Sequence, residues 1–208
     1  MKKWIIWLLI GIVILAAVLW GPLMSNVEQA KYDVIETHGS IEIREYTPMI
    51  VAEVSVSGDR EKAISDGFRM IADYIFGNNI SSQKVAMTAP VIQQPTEKIA
   101  MTASVTQQGS KEDWVVRFVM PSSYTMQMLP KANNPEVSLK EITGKRFAVI
   151  RFSGLAKSKS LEKHTKELKA FIQAQNLLAV SKATYAFFNP PWTLPFLRRN
   201  EVMIEVNR

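Results

Sequence analysis

The chain contains no cysteine and only two histidines, His38 and His164. The first absence removes disulfides, thiolate nucleophiles, zinc ribbons and cysteine-anchored lipid together. The second leaves too few imidazoles for a histidine metal triad. No HExxH pair, phosphate-cradling glycine loop or strained nucleophile elbow occurs in the 208 residues. Glu42, Glu45, Glu141 and Glu162 are available for acid–base work, but nothing in their spacing selects a pair. A binding protein rather than an enzyme is therefore expected. Acidic residues are outnumbered by basic ones, 19 to 25, for a net charge of +6. That excess suits an anionic small ligand, a membrane surface or nucleic acid equally well.

Charge is missing altogether between Trp4 and Trp20, just after Lys2 and Lys3. As a helix the run is roughly 26 Å long, or about 31 Å if it continues to Met24, enough to span a bilayer. Trp4, Trp7 and Trp20 lie near its ends, where amphipathic rings favour the interface, and Pro22 is a natural stop. The next basic residue is Lys31, so the positive-inside rule places the N-terminus in the cytoplasm and the rest outside, as a single-pass membrane protein. A cleaved signal peptide is the rival reading, but the run is longer than a usual apolar h-region and no small-x-small site follows it. The expected organisation is a signal-anchor over residues 1–24, a linker over 25–31 and one domain over 32–208.

That domain reads as two related halves, about 32–110 and 111–208. The phrase KVAMTAPV at 84–91 returns as KIAMTASV at 98–105 with six identities, and its Val, Ile and Thr content suggests twin strands joined by a polar loop. A shift of 96 residues aligns EYTPMIVAEVSVSG, from Glu45, with EITGKRFAVIRFSG, from Glu141, without a gap. Ala52, Val54 and Val56 share one face of the first copy, and Ala148, Ile150 and Phe152 share the matching face of the second. Turns at Thr47-Pro48 and Thr143-Gly144 predict that each half opens with a hairpin. A helix follows each: Ile64, Phe68, Ile71 and Ile75 form one apolar stripe, and Leu161, Thr165, Leu168 and Ile172 the other. Lysines crowd the second helix, but Glu162 and Glu167 interleave with them and no aromatic projects among them, so a solvated face is expected and no nucleic acid. Further strands are expected at Trp114 to Met120, Ala183 to Phe188 and Val202 to Val206. The predicted fold is α+β, a duplicated ββαββ unit curled into a distorted antiparallel β-barrel flanked by two helices.

Together with EIREYTPMIVAE at 42–53, YIFGNN at 74–79, FVMPSSYT at 118–125 and PPWTLPFLRRNEVMIEV at 190–206, the twin phrases resemble the SOUL haem-binding family. The family includes animal tetrapyrrole-binding proteins and many bacterial members, and this chain resembles a bacterial, membrane-anchored one. The likeness covers roughly Lys31 to Val206 and implies a pseudo-twofold antiparallel barrel that binds haem or porphyrin without catalysis. It implies a groove beside the first helix and the loop before the last strand, lined by Phe68, Ala72, Phe188, Trp192, Leu194 and Phe196. Arg198 is placed to meet propionates by bidentate hydrogen bonds or, alternatively, to pair with Glu201 or Glu205. An axial histidine of one branch maps to Glu45, and basic propionate partners of another branch map to Ser65, Asp73 and Thr193. The ring must then be held mainly by apolar contact.

His38, in a turn, and His164, flanking the second apolar stripe beside Phe171, are the two candidate iron ligands, each weighed against a solvated or packing imidazole. Met87 and Met101 occupy equal places in the twin phrases and read as core rather than as a thioether pair. The expected function is a membrane-tethered haem or tetrapyrrole binder acting in buffering or transfer. Two alternatives stand beside it: an envelope protein docking a partner through the aromatic loop, and an effector-binding domain for other flat apolar molecules.

Overall fold

The computed structural model describes residues 7–8, 27–95 and 113–207. The reading of residues 1–24 as a membrane span falls, apart from Trp7 and Leu8, outside the described residues, as does the second copy of the twin phrase. Among the described residues no helix is long and apolar enough to cross a membrane.

The elements run β1 (Tyr32–His38), β2 (Ile41–Tyr46), β3 (Met49–Ser57), α1 (Arg60–Ile75), β4 (Val91–Pro95), β5 (Asp113–Val119), β6 (Ser138–Ile142), β7 (Arg146–Phe152), α2 (Ser158–Ala174), β8 (Leu178–Ala179), β9 (Thr184–Phe187), a short 3-10 turn (Pro195–Leu197) and β10 (Asn200–Asn207). All strand pairs are antiparallel, in the order β1-β2-β7-β10-β9-β4-β5-β3-β6, with β8 added to the end of β10. The fold is α+β, as expected, with the sheet curled into a half-barrel under two helices.

Two expectations are corrected. The turns at Thr47-Pro48 and Thr143-Gly144 do not close hairpins, and the hairpin that opens the first half is β1 with β2, His38 opposite Ile41. β2 pairs with β1 and β7, whereas β3 pairs with β5 and β6, so β2 lies beside the second half's β7 and β6 beside the first half's β3. The cause lies in the side chains: Ile41 and Ile43 join the cluster under α2, while Ala52 and Val54 join the cluster under α1. A strand is held where its apolar face is buried, and turn chemistry alone does not overrule that. The two connections meet instead, with the Tyr46 amide donating to the Lys145 carbonyl at 2.9 Å. Gly144 is needed at this crossing, because a Cβ there would lie 2.6 Å from the Tyr46 carbonyl oxygen. The first twin phrase is also not a strand until Val91: residues 84–88 run as unpaired extended chain whose Val85 and Met87 still pack under α1.

The sheet's two faces differ. One carries the helices, each over its own apolar cluster. On the other face Tyr46, Val51, Val119, Val149, Ala186 and Met203 meet in one cluster although they come from six different strands. Strands so far apart in the order share a cluster because the sheet curls round it, which makes this the inner face.

The two halves meet at β4 and β9. Val91 lies opposite Phe187, and these two positions are equivalent under the same 96-residue shift. Arg60 and Ala156, another equivalent pair, are joined by a hydrogen bond from the guanidinium to the carbonyl at 3.1 Å. A local twofold axis therefore passes close to these four residues.

Helix α1 lies close on its sheet because Gly67 faces Val116: a Cβ at Gly67 would come within 2.6 Å of a Val116 methyl carbon. Gly67→Ala gains about 1 kcal/mol of helix propensity. It also overpacks a fully buried, β-branched neighbour, which costs about 1–3 kcal/mol. Urea unfolding is expected to show a net loss of stability, and a net gain would mean that the helix can lift off the sheet.

Candidate functional site

The start of α1 is held from three directions. Asp59 caps the helix, its carboxylate accepting from the Glu61 and Lys62 amides at 3.3 and 3.1 Å. Gln93, fully buried on β4, donates from Nε2 to the Arg60 carbonyl at 2.9 Å. Trp114 donates from Nε1 to the Gly58 carbonyl at 3.1 Å. Fixed in this way, Arg60 points its side chain toward the local twofold axis, with only 11% of it exposed.

A groove of about 350 Å³ opens there on the helical face of the sheet. Ile64 and Phe68 of α1 form one wall, Leu155 and Ala156 before α2 the second, and Asn189, Pro191 and Arg198 the third. Val91 and Phe187, the residues on the axis, lie between them. Phe68 is oriented by the Phe118 ring beneath it, 5.3 Å between centroids. The charged groups along the groove are Arg60, Lys157 and Arg198 against the single acid Glu61. Arg60 Nε and Gln93 Oε1 are buried with no hydrogen-bond partner, a state that costs free energy unless a ligand or water answers it.

The third wall is braced from behind. Arg198 donates from Nε to the Thr193 carbonyl at 2.7 Å and from Nη2 to the Pro191 carbonyl. The Gly154 amide donates to the Pro195 carbonyl at 2.9 Å, and Asn200 Nδ2 to the Gly154 carbonyl at 3.0 Å. Gly154 has φ +104°, a conformation reserved for glycine. Behind the loop, Arg199 donates from Nε to Glu201 at 2.9 Å, and its Nη2 lies 2.7 Å from the same carboxylate oxygen as an ion pair. Glu201 is 0% exposed and also takes two hydrogen bonds from Arg44, at 2.8 and 3.1 Å.

Of the sequence-predicted site residues, the structure brings Phe68 and Arg198 to the groove. Ala72 is buried one turn further along α1. Phe188 turns to the inner face, where the Arg199 guanidinium lies 3.9 Å from its ring centroid. Trp192 and Phe196 stand 66% and 68% exposed, with Leu194 half-buried between them. Neither histidine lines the groove. His38 is exposed and touches Glu36 and the Phe171 ring, whereas His164 is stacked on Phe152 at 4.1 Å. Glu45 pairs with Arg146 at 3.1 Å. Among the described residues no cluster of histidine and acidic side chains could hold a metal ion.

Arg60, Lys157, Leu155 and Phe187 were not foreseen as site residues. Strand period could have found Phe187, which shares a face with Tyr185. The 96-residue shift could have found Arg60, since it superposes Arg60 on Ala156 just before the second helix.

Cavities also open elsewhere among the described residues. One, about 510 Å³, lies where residues 28–31 cross the sheet end. A third, about 360 Å³, lies on the inner face beside Tyr46, Met49, Phe147 and Met203. The cations of the inner cavity are already answered: Lys145 by Glu205 at 2.7 Å and Arg117 by Glu53 at 2.5 Å. Burial alone would raise the Glu53 pKa, but hydrogen bonds from Lys140 and Arg117 and their charges hold it below the ordinary value. Size favours the first of these cavities, but of the three the groove alone joins apolar walls to an excess of positive charge, three cations against Glu61. That is the arrangement a flat apolar acid requires.

A family model described as SOUL heme-binding protein matches residues 27–205. No curated protein matches the sequence. Among solved structures, the EcmrR C-terminal domain has a TM-score of 0.59 at 11% identity, covering 85% of this chain and 98% of that one. A hydrolase from Listeria innocua has a TM-score of 0.56 at 12% identity, covering 83% and 94%. An uncharacterized conserved protein from Listeria innocua has 0.55 at 15% identity, covering 81% and 92%. At such identities these likenesses speak for the fold alone.

Glu201 sets the position of the loop through Arg199. Glu201→Ala leaves two buried guanidinium groups without their shared counter-charge, so chemical denaturation is expected to show a loss of about 3–5 kcal/mol. A loss under about 1 kcal/mol, the range of an exposed pair, would mean that water reaches both arginines.

Proposed function

The chain belongs to the SOUL heme-binding family, and on that premise we propose that it holds haem or a related porphyrin, without catalysis, in the groove between α1 and the loop before β10. The observation that carries this reading is an excess of positive charge, Arg60, Lys157 and Arg198 against Glu61, which meets Arg60 at 3.4 Å, along apolar walls centred on Phe68 and Phe187. A tetrapyrrole matches both, with a flat apolar ring for the walls and propionates for the cations. Arg60 is the main carboxylate partner, because its buried Nε has no partner within the protein. Haem would bring redox-active iron, but among the described residues the groove offers no histidine, tyrosine, cysteine or methionine to ligate it. Ring burial and ion pairing therefore supply the affinity here.

We place the domain at a membrane, tethered by the uncharged N-terminal run with its two leading lysines, in the orientation that leaves the domain outside the cytoplasm. Tethering and weak iron contact together suit buffering or transfer of the ligand better than permanent storage. The exposed Trp192 and Phe196 support the second reading, that the aromatic loop docks a partner.

The test is a difference-absorption titration of the detergent-solubilised chain with haemin and, in parallel, iron-free protoporphyrin. Both are expected to saturate at one equivalent with similar affinity. Phe68→Ala is expected to weaken both by roughly tenfold. Arg60→Gln is expected to weaken protoporphyrin but leave its dimethyl ester unchanged. Saturation by haemin alone would move the site to His38 or His164, and saturation by neither would remove the tetrapyrrole reading.

A further inference from the structure

The described fold begins next to the aromatic loop. Gln29 accepts a hydrogen bond from Arg199 Nη1 at 3.1 Å, and Arg199 closes the base of the loop, where its amide meets Asn189 Oδ1 at 2.6 Å. Gln29 is five residue steps from Met24, so even a fully extended chain holds it within about 18 Å of the end of the apolar run. The end of the domain nearest the tether is thus the end that carries the loop.

That loop has the composition of a membrane-interface contact. Trp192, Phe196 and Leu197 are exposed, as is Leu155 on the facing loop, to which Pro195 is tied through Gly154. Such a patch is unfavourable in water, whereas aromatic rings are favoured at the level of lipid headgroups. Lys157 and Arg198 beside it suit anionic headgroups. The braces from Arg198 to Thr193 and Pro191 keep the rings outside the fold instead of letting them fold back over the groove.

We propose that this loop rests in the surface of the same membrane that carries the N-terminal segment, with Trp192 and Phe196 in the interface. Pro191 and Arg198 belong to both loop and groove, so the groove mouth then opens at the lipid and an apolar acid passes between bilayer and protein without crossing water. The inference rests on the membrane reading of residues 1–24 but does not depend on which ligand fills the groove.

The absence of cysteine allows a direct test on the full chain in phosphatidylcholine–phosphatidylglycerol vesicles. A spin label is placed at Phe196→Cys in one sample and at Leu178→Cys in another. Leu178 is also exposed, at 61%, but pairs with Asn207 at the far end of β10, about 23 Å from Asn200 at ~3.3 Å per residue. The label at 196 is expected to relax preferentially with oxygen, and the label at 178 with a water-soluble nickel chelate. Equal nickel access at both positions in vesicle-bound protein overturns the inference and favours a protein partner for the loop. Loss of the chain from vesicles under alkaline wash overturns the tether and the inference with it. A functional arm uses Phe196→Glu: uptake of protoporphyrin from vesicles is expected to slow by roughly tenfold, with affinity in detergent unchanged. Unchanged uptake overturns the route. Failure of protoporphyrin to bind in detergent removes the tetrapyrrole reading, while the label positions still report on the loop.

Discussion

A carboxylate with no access to water, clamped by two guanidinium groups, ties together parts of this chain that are far apart in sequence. Glu201 of β10 meets Arg44 of β2 across the inner face and Arg199 at the base of the aromatic loop. Burial alone would lower the Arg44 pKa, yet Glu201 beside it holds it above the ordinary value. Tyr46, buried in the same field, is pushed up to about 12. Such a cluster is not an efficient source of net stability, since desolvating three charges offsets much of their attraction. Its value is geometric. Charges that cannot be left alone permit one register of β2 against its neighbours and one position for the loop, and through Arg199 they also hold Gln29 and Tyr32.

The same logic of mutual dependence governs the sheet. Because β2 completes the second half and β6 the first, neither half can bury its apolar faces alone. The halves must assemble round the β4–β9 seam. A seam between equivalent elements brings equivalent residues face to face, and where they differ they make something that neither half has. Arg60 meets Ala156, and Val91 meets Phe187. At these two equivalent pairs the charge comes from one half and the larger aromatic side chain from the other, so the groove is asymmetric although the scaffold around it is nearly symmetric.

This explains which parts of the molecule were legible in the sequence. Helices α1 and α2 were, because stripes such as Leu161, Leu168 and Ile172 record burial against one neighbour. The strand around Ala148, Ile150 and Phe152 was legible for the same reason, through its period of two. The crossing of β2 and β6 between the halves was not, because the alternation of Ile41 and Ile43 reports that a face is buried but not which helix covers it. Thr47-Pro48 looked like a hairpin turn for want of that information. Of the residues singled out, Phe68 and Arg198 line the candidate groove, whereas Phe187 lies there in place of Phe188, a difference missed because the apolar loop was read as a composition rather than as a continuation of strand period. Arg60 escaped notice since nothing in its local surroundings distinguishes it from other basic residues at a helix start. Only the meeting of the halves buries it.

If the groove holds a tetrapyrrole as proposed, the kind of ligand exchange it would permit follows from this chemistry. A coordinate bond to iron gives long residence, because a strong directional bond must break before release. A groove that relies on Phe68, Phe187 and a partly buried arginine instead loses its ligand by sliding, as apolar area and ion pairs are given up in small steps. Affinity differences of this type appear mainly in the off-rate. Water would be a poor destination for a ring released in this way, whereas a lipid surface at the groove mouth lowers the cost of each intermediate position. The weak point of the site as a store is thus the property that suits it to handing a ligand on. On that proposal, the fixed base of the loop, held by Glu201 through Arg199, would keep the mouth open for such traffic.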